Sequence, residues 1–157
     1  MEAAGELLDY LNAGAAALFV LVALAICAAV VDARTRTYPA SLAVAVASVG
    51  GWCALARGGA HALGVHLLAA GAVSVLLVAF EVAWRRRHDG AIGLGMGDIK
   101  YLFGTMLADP AYALVGFSTG LVLLAVAGLV CRRPSLPLLP FAVVGTALVV
   151  VLGPLPA

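Results

Sequence analysis

Charge is scarce in this chain. Only 11% of its 157 residues are charged, whereas soluble domains average about 25%. The formal net charge of +1 gives no reason to expect binding to nucleic acid. Hydrophobic residues instead make up 64% of the chain, and the mean hydropathy is +1.13. We therefore expect residues 1–157 to form a single membrane-embedded domain, without a separate soluble domain.

Residues that bind metals are few and have no ligand spacing. They are Cys27, Cys53, Cys131, His61, His66 and His88. The cysteines form no CxxC pair and lie in or beside apolar runs, so we predict small buried side chains. The histidines are predicted to lie at the membrane interface or in solvent. No metal and no other cofactor is expected.

The N-terminus lacks a basic residue before its first apolar run. It carries Glu2, Glu6 and Asp9 instead. A secretory signal peptide begins with positive charge, so this flank argues against one. We expect residues 14–31 to be a retained helix.

Six apolar segments are long enough to be membrane helices, which need about 20 residues each. They are residues 14–31, 38–56, 61–84, 92–108, 111–131 and 136–153. The predicted fold is an all-α, six-helix transmembrane bundle. The fourth segment contains Asp98 and Lys100, so it is expected to face protein or water rather than lipid.

The arginines fall mainly on one side of this bundle. Seven lie in the odd-to-even connections: Arg34, Arg36, Arg85, Arg86, Arg87, Arg132 and Arg133. Only Arg57 lies in the opposite connections. Positively charged loops face the cytoplasm. Both termini are therefore predicted to lie outside, in a multi-pass protein of the inner membrane.

Two aspartates lie at the ends of these apolar segments. Asp32 ends the first one, and Asp98 lies in the sequence Gly-Met-Gly-Asp-Ile-Lys near the start of the fourth. Ionisable groups at membrane depth are costly and usually functional. The predicted topology places both near the cytoplasmic face. Two adjacent carboxylates share a proton, which is the arrangement that aspartyl hydrolysis uses.

The neighbours of each aspartate allow functional and purely structural interpretations. Gly95 and Gly97 remove side-chain bulk, so a substrate backbone could approach Asp98 closely. Alternatively, Asp98 is an acid favoured at a helix N-terminus. Asp32 precedes a basic loop and a predicted helix restart at Pro39, but it could also be an interfacial acid paired with an arginine.

These residues resemble the motifs of type IV prepilin peptidases, a GxGD class of membrane aspartyl protease. The first motif is matched by Asp32, Arg34-Thr35-Arg36 and Tyr38-Pro39-Ala40. The second motif, GxGDxK, is matched by Gly95, Gly97, Asp98 and Lys100. A weaker third match is Pro137, Pro140 and Gly145, at the start of the last segment. The resemblance covers essentially the whole chain.

The chain also departs from that family. Tyr38 replaces the usual aliphatic residue before the proline, and Ala40 replaces the usual asparagine after it. The larger family members carry an N-terminal region with CxxC motifs and methylate the new N-terminus. This chain is similar instead to the short, peptidase-only members that serve tight-adherence pili.

The resemblance implies an endopeptidase that removes the short basic leader of a prepilin or pseudopilin at the cytoplasmic face. Asp32 and Asp98 would be catalytic. The supporting residues would be Gly95, Gly97, Lys100, Pro39, Arg34, Arg36 and Pro140. Lys100 does not face Asp98 on a regular helix, so it would extend towards the interface or contact substrate. Glu81 is expected to pair with Arg85, with contact to a basic leader as the alternative.

Three other functions stay open at this point. One is a presenilin-like or signal-peptide-peptidase-like GxGD protease, which cuts within a membrane helix. Another is a small transporter that uses Asp32 and Asp98 to relay protons or cations. The third is a non-catalytic membrane subunit. The sequence leaves open which pilin is the substrate and what the oligomeric state is.

Overall fold

A computed structural model of the protein describes residues 2–89, 93–132 and 136–152, with the backbone alone for residues 2–14. These residues form five α-helices. They are α1 (Glu2–Thr35), α2 (Ala40–Arg87), α3 (Met96–Ala108), α4 (Pro110–Cys131) and α5 (Leu139–Leu152). The all-α prediction is confirmed, and the prediction of six helices is wrong. Arg133 and the outermost residues of two predicted segments, 92 and 153, lie outside the described residues.

The helix count differs because α2 covers both the second and the third predicted segments. Its backbone leaves helical geometry only at Gly58 (φ −147°, ψ 16°) and Gly59 (φ 64°, ψ −159°). A Cβ built on Gly51 would lie 3.6 Å from Leu63 Cδ1, although twelve residues of straight helix span about 18 Å. α2 therefore folds back on itself, giving a first arm (residues 40–57) and a second arm (residues 60–87).

Three helices are long and apolar enough to cross a membrane: Ala15–Thr35, Ala40–Arg87 and Pro110–Cys131. Large apolar side chains on the outer surface fit this interpretation, since Phe19, Leu68 and Leu129 are each more than 75% exposed. A soluble monomer rarely exposes so much contiguous apolar surface. The chain is a multi-pass membrane protein. α3 has 13 residues and is about 20 Å long, so it is too short to be one of the candidate spans.

Helix α3 packs between the two arms of α2. A Cβ on Gly104 would lie 2.9 Å from Val46 Cγ1, and one on Gly50 would lie 3.3 Å from Leu107 Cβ. The residue numbers of the contacts increase together along the first arm and along α3, so the first arm runs parallel to α3. The second arm returns antiparallel to it, and its His66 Nδ1 lies 2.8 Å from the Leu107 carbonyl oxygen. His66 is half-buried, and the predicted location of the histidines at the interface or in solvent stays a prediction.

Close contact between small residues also joins α4 to α5. A Cβ on Gly120 would lie 2.6 Å from Ala142 Cα, and one on Gly116 would lie 2.7 Å from Thr146 Cα. The reversed order of these partners makes the two helices antiparallel. Because Gly116 and Gly120 have no side chain, the helix backbones approach closely enough for dispersion forces to hold them together.

The three cysteines are free thiols, but only Cys53 is buried. The prediction of buried cysteines is wrong for Cys27 and Cys131. Both lie on long helices that pack against few neighbours, so much of the surface of α1 and α4 is exposed.

The bundle has two distinct ends. The C-terminus of α1 and the N-termini of α2, α3 and α5 meet at one end, called here the Asp32 end. The opposite end, called the Asp109 end, is held by an ion pair of 3.8 Å between Arg57 and Asp109. Asp109 also caps α4, because its Oδ1 accepts the N–H groups of Ala111 and Tyr112.

Candidate active site

Asp32 lies in the last turn of α1 and is half-buried. Its Oδ2 accepts a long hydrogen bond, 3.4 Å, from the backbone N–H of Leu139 at the start of α5. Its carbonyl oxygen accepts the N–H of Arg36 at 2.9 Å, and Arg36 adopts left-handed φ (55°) as the helix ends. The positive charge of Arg36 acts on the Asp32 carboxylate. Asp32 is therefore in contact with the Pro-rich start of α5, a segment 107 residues away in sequence.

Asp98 occupies the third position of α3, where its carboxylate turns back onto the start of the helix. Gly95 precedes the helix as its N-cap, and its N–H donates to Asp98 Oδ2 at 3.2 Å. A Cβ on Gly95 would lie 2.8 Å from that oxygen. The first glycine of the motif thus leaves room for the carboxylate itself. The alternative of an N-terminal acid stabilised by its helix fits the local geometry of Asp98.

The two motifs touch through Gly97 and Tyr38. A Cβ on Gly97 would lie 2.8 Å from Tyr38 Cβ. The Tyr38 ring packs edge-to-face on Tyr101, one turn further along α3, at 6.3 Å between centroids and 81° between planes. The connection between α1 and α2 therefore lies directly on the first turns of α3. The space beside Gly97, which the sequence assigned to an incoming substrate backbone, holds the Tyr38 side chain.

The two carboxylates are close enough to affect each other electrostatically. Burial raises the pKa of Asp98 to about 6, and the charge of Asp32 raises it as well, while the Gly95 N–H bond opposes both effects. Asp98 therefore keeps its proton to a higher pH than an ordinary aspartate. A protonated acid beside a second carboxylate can take part in general acid–base chemistry.

Tyr38 is a further polar residue beside Gly97, and sequence reasoning treated it only as a departure from a family motif. Its hydroxyl is buried and has no hydrogen-bond partner among the described residues. Burial raises the pKa of Tyr38 to about 12, so the hydroxyl stays neutral and can donate a hydrogen bond. A tyrosine before a helix-starting proline was the sequence signal for this group.

The remaining predicted site residues lie near the helix ends of the Asp32 end. Pro39 is the exposed N-cap of α2, which begins at Ala40 rather than at Pro39 as predicted. Pro140 is half-buried in the first turn of α5, directly after the Leu139 amide that reaches Asp32. Arg34 is exposed near the end of α1.

Lys100 points away from the acid pair, as its position in the helix predicts. It is exposed and lines a groove of about 300 Å³ with apolar side chains that include Val44 and Phe103. In the described ranges no ion pair joins Lys100 to Asp98. Lys100 is therefore not part of the acid pair's immediate surroundings.

Glu81 is 3% exposed, and its Oε1 accepts Arg85 Nε at 2.6 Å. The predicted pairing with Arg85 is confirmed. Sequence reasoning missed the other oxygen, Oε2, which accepts the backbone N–H of Leu94 at 2.7 Å.

Within the described part of the chain, no group of three or more His, Cys, Asp or Glu side chains is placed to hold a metal ion. Comparison of the chain with known protein families, with curated proteins and with solved structures found no match.

Proposed function

We propose that the protein is a membrane aspartyl endopeptidase that removes the short basic leader of a prepilin or pseudopilin. The observation that carries this proposal is that Asp32 and Asp98 lie at the same end of the bundle and interact electrostatically. They come from two separate helices to one end of the bundle, and the pKa of Asp98 is raised to about 6. Two acids that share one proton can activate water and protonate a leaving group in the same site.

The chemistry would proceed by addition of water to the scissile carbonyl carbon. The ionised carboxylate takes one proton from the attacking water, and the protonated carboxyl donates its proton to the carbonyl oxygen. When the C–N bond of the resulting tetrahedral intermediate breaks, the carboxyl that took the water proton donates it to the leaving amine. The other carboxylate takes a proton from a hydroxyl of the intermediate as the new carbonyl forms. The pair then returns to one shared proton.

The orientation in the membrane follows from the arginines. The Asp32 end carries Arg34, Arg36, the run of residues 85–87 and Arg132, whereas Arg57 lies at the Asp109 end. The positive-inside rule then places the Asp32 end at the cytoplasmic face of the inner membrane. In that orientation the first residues of α1 and the last residues of α5 lie towards the outer side of the membrane.

A proton or cation relay is the main rival function from another class. A relay needs ionisable groups spread across the membrane depth. Asp32 accepts the Leu139 N–H at the start of α5, and Asp98 lies in the first turn of α3, so both acids lie at the Asp32 end of the bundle. This arrangement favours hydrolysis. A presenilin-like protease would use the same pair of acids but would cut within the membrane span of its substrate, so the position of the cut separates the two.

The test is co-expression with prepilin precursors from the same genome, followed by N-terminal sequencing of the product. Asp32→Asn and Asp98→Asn should each abolish cleavage while the protein stays folded and inserted. Because the two residues act as a unit, the double variant should be no worse than either single variant. The matched control is Asp89→Asn, which removes an exposed carboxylate from a left-handed position (φ 50°) that asparagine tolerates. Normal cleavage by either inserted single variant would refute the proposal, and a cut inside the apolar segment would favour the presenilin-like function.

A further inference from the structure

Glu81 is the one buried acidic or basic side chain in the described part of the chain. It lies near the end of the second arm of α2, one turn before Arg85. A surface pair of this spacing needs no burial and contributes little stability. A carboxylate removed from water is costly unless its oxygens are bonded. The burial of Glu81 therefore calls for an explanation beyond its pairing with Arg85.

Both carboxylate oxygens of Glu81 have a partner. Oε1 accepts Arg85 Nε at 2.6 Å, and Oε2 accepts the Leu94 N–H at 2.7 Å. A Cβ on Gly93 would lie 3.2 Å from Oε2, so the backbone of residues 93–94 lies directly against the carboxylate. Charge-assisted bonds of this kind are roughly twice as strong as neutral ones. Glu81 thus anchors the connection between α2 and α3 to the second arm.

That anchored backbone leads straight into the turn that holds Asp98. Leu94 is followed by Gly95, whose N–H donates to Asp98 Oδ2 at 3.2 Å and whose carbonyl accepts the Asp98 N–H at 3.0 Å. A shift of Leu94 would move Gly95 and both of these bonds. The chain of contacts from Glu81 to Asp98 runs through two adjacent backbone residues.

We propose that Glu81 is a positioning residue for the acid pair. It fixes the backbone at Leu94 so that Gly95 caps α3 and directs the Asp98 carboxylate. This inference rests on the proposed endopeptidase function. Misplacement of a reacting group by about 1 Å can cost about 100-fold in rate. A change at Glu81 should therefore show mainly in kcat rather than in KM.

The kinetic test compares three variants of the full-length protein in vesicles with a prepilin substrate. Glu81→Leu removes both acceptors and should lower kcat about 10–100-fold, with KM changed by less than about threefold. Glu81→Gln keeps one acceptor for the Leu94 N–H and should retain more activity than Glu81→Leu. Arg85→Gln is the matched control, because it breaks the ion pair but leaves the bond to Leu94, and its kcat should stay within about threefold of wild type. An unchanged kcat in Glu81→Leu, or an equal loss in Arg85→Gln, would overturn the proposal.

Hydrogen exchange supplies a readout that does not depend on cleavage. The amides of Leu94 and Asp98 should exchange faster in Glu81→Leu than in wild type. Their exchange rates in Arg85→Gln should equal those of wild type. If Glu81→Leu does not fold, the same comparison is made with Glu81→Gln, in which a smaller increase is expected. Unchanged exchange at both amides in a folded Glu81 variant would show that Glu81 does not hold this turn. If exchange rises but the wild-type protein cuts no prepilin, the endopeptidase function is wrong and the anchoring by Glu81 stands.

Discussion

The raised pKa of Asp98 makes a quantitative prediction about stability. An ordinary aspartate has a pKa of 3.8, and Asp98 has one of about 6 in the folded protein. Between these values the folded state binds more protons than the unfolded state, so stability must fall as pH rises through this window. The difference corresponds to at most about 3 kcal/mol, of which about 2 kcal/mol is lost between about pH 4.5 and pH 7.5. Asp98→Asn removes this pH-dependent loss of stability, because asparagine does not ionise, and it keeps an oxygen that can accept the Gly95 N–H.

We therefore expect Asp98→Asn to gain about 2 kcal/mol of stability relative to wild type when the pH is raised from about 4.5 to 7.5. Reversible unfolding in mixed detergent micelles at several pH values measures this difference. Asp89→Asn, which removes an exposed carboxylate, is the control for a general loss of negative charge. In Asp32→Asn the pH dependence should shrink, because the Asp32 charge is one cause of the raised pKa of Asp98. If the stabilities of wild type and Asp98→Asn run parallel across this range, Asp98 is not the desolvated acid described here.

Three glycine variants and one tyrosine variant test the packing of the two motifs and the turn within α2. Gly97→Ala places a Cβ 2.8 Å from Tyr38 Cβ, so it should lower both the melting temperature and the cleavage rate. Gly64→Ala is the control, because no atom lies within 4 Å of the new Cβ, and it should keep stability or raise it by up to about 1 kcal/mol. Equal melting temperatures for Gly97→Ala and Gly64→Ala would contradict the packing argument. Gly59→Ala should destabilise the fold by about 1 kcal/mol or more, because Gly59 has a φ of 64° at the point where α2 reverses. An unchanged unfolding midpoint would show that the turn does not require glycine at this position. Tyr38→Phe removes a buried hydroxyl that has no partner among the described residues, so the stability of the protein should stay the same or rise. A loss of stability above about 1 kcal/mol would show that the Tyr38 hydroxyl makes a hydrogen bond.

Composition and loop charge could predict the class of fold because both depend on the bilayer as solvent. An apolar chain with few charges must satisfy its backbone within helices. The number of helices could not be predicted in the same way. Hydropathy indicates one apolar segment on each side of residues 57–60, but it does not show whether a loop separates the two segments. The structure joins them in α2 and reverses the chain at Gly58 and Gly59.

The approach of Asp32 and Asp98 follows from the predicted order of helices, but the contacts around them do not. The sequence could not show that Tyr38 fills the space beside Gly97, because that contact depends on the path of the connection between α1 and α2. Likewise, the spacing of Glu81 and Arg85 was readable as one turn of helix. The bond from Glu81 to Leu94, 13 residues further on, depends on how the next connection folds back. The hydrolytic activity itself stays a prediction.

The central claim is that Asp32 and Asp98 together hydrolyse a peptide bond. The most direct measurement incubates the purified protein in lipid vesicles with each prepilin precursor from the same genome in turn, and analyses both products by mass spectrometry. We predict one cut between the basic leader and the apolar segment, a mass gain of one water across the two products, and no cut with either Asp32→Asn or Asp98→Asn. Cleavage that persists in a folded single variant, or a wild-type protein that leaves every precursor from its own genome intact, would contradict the account.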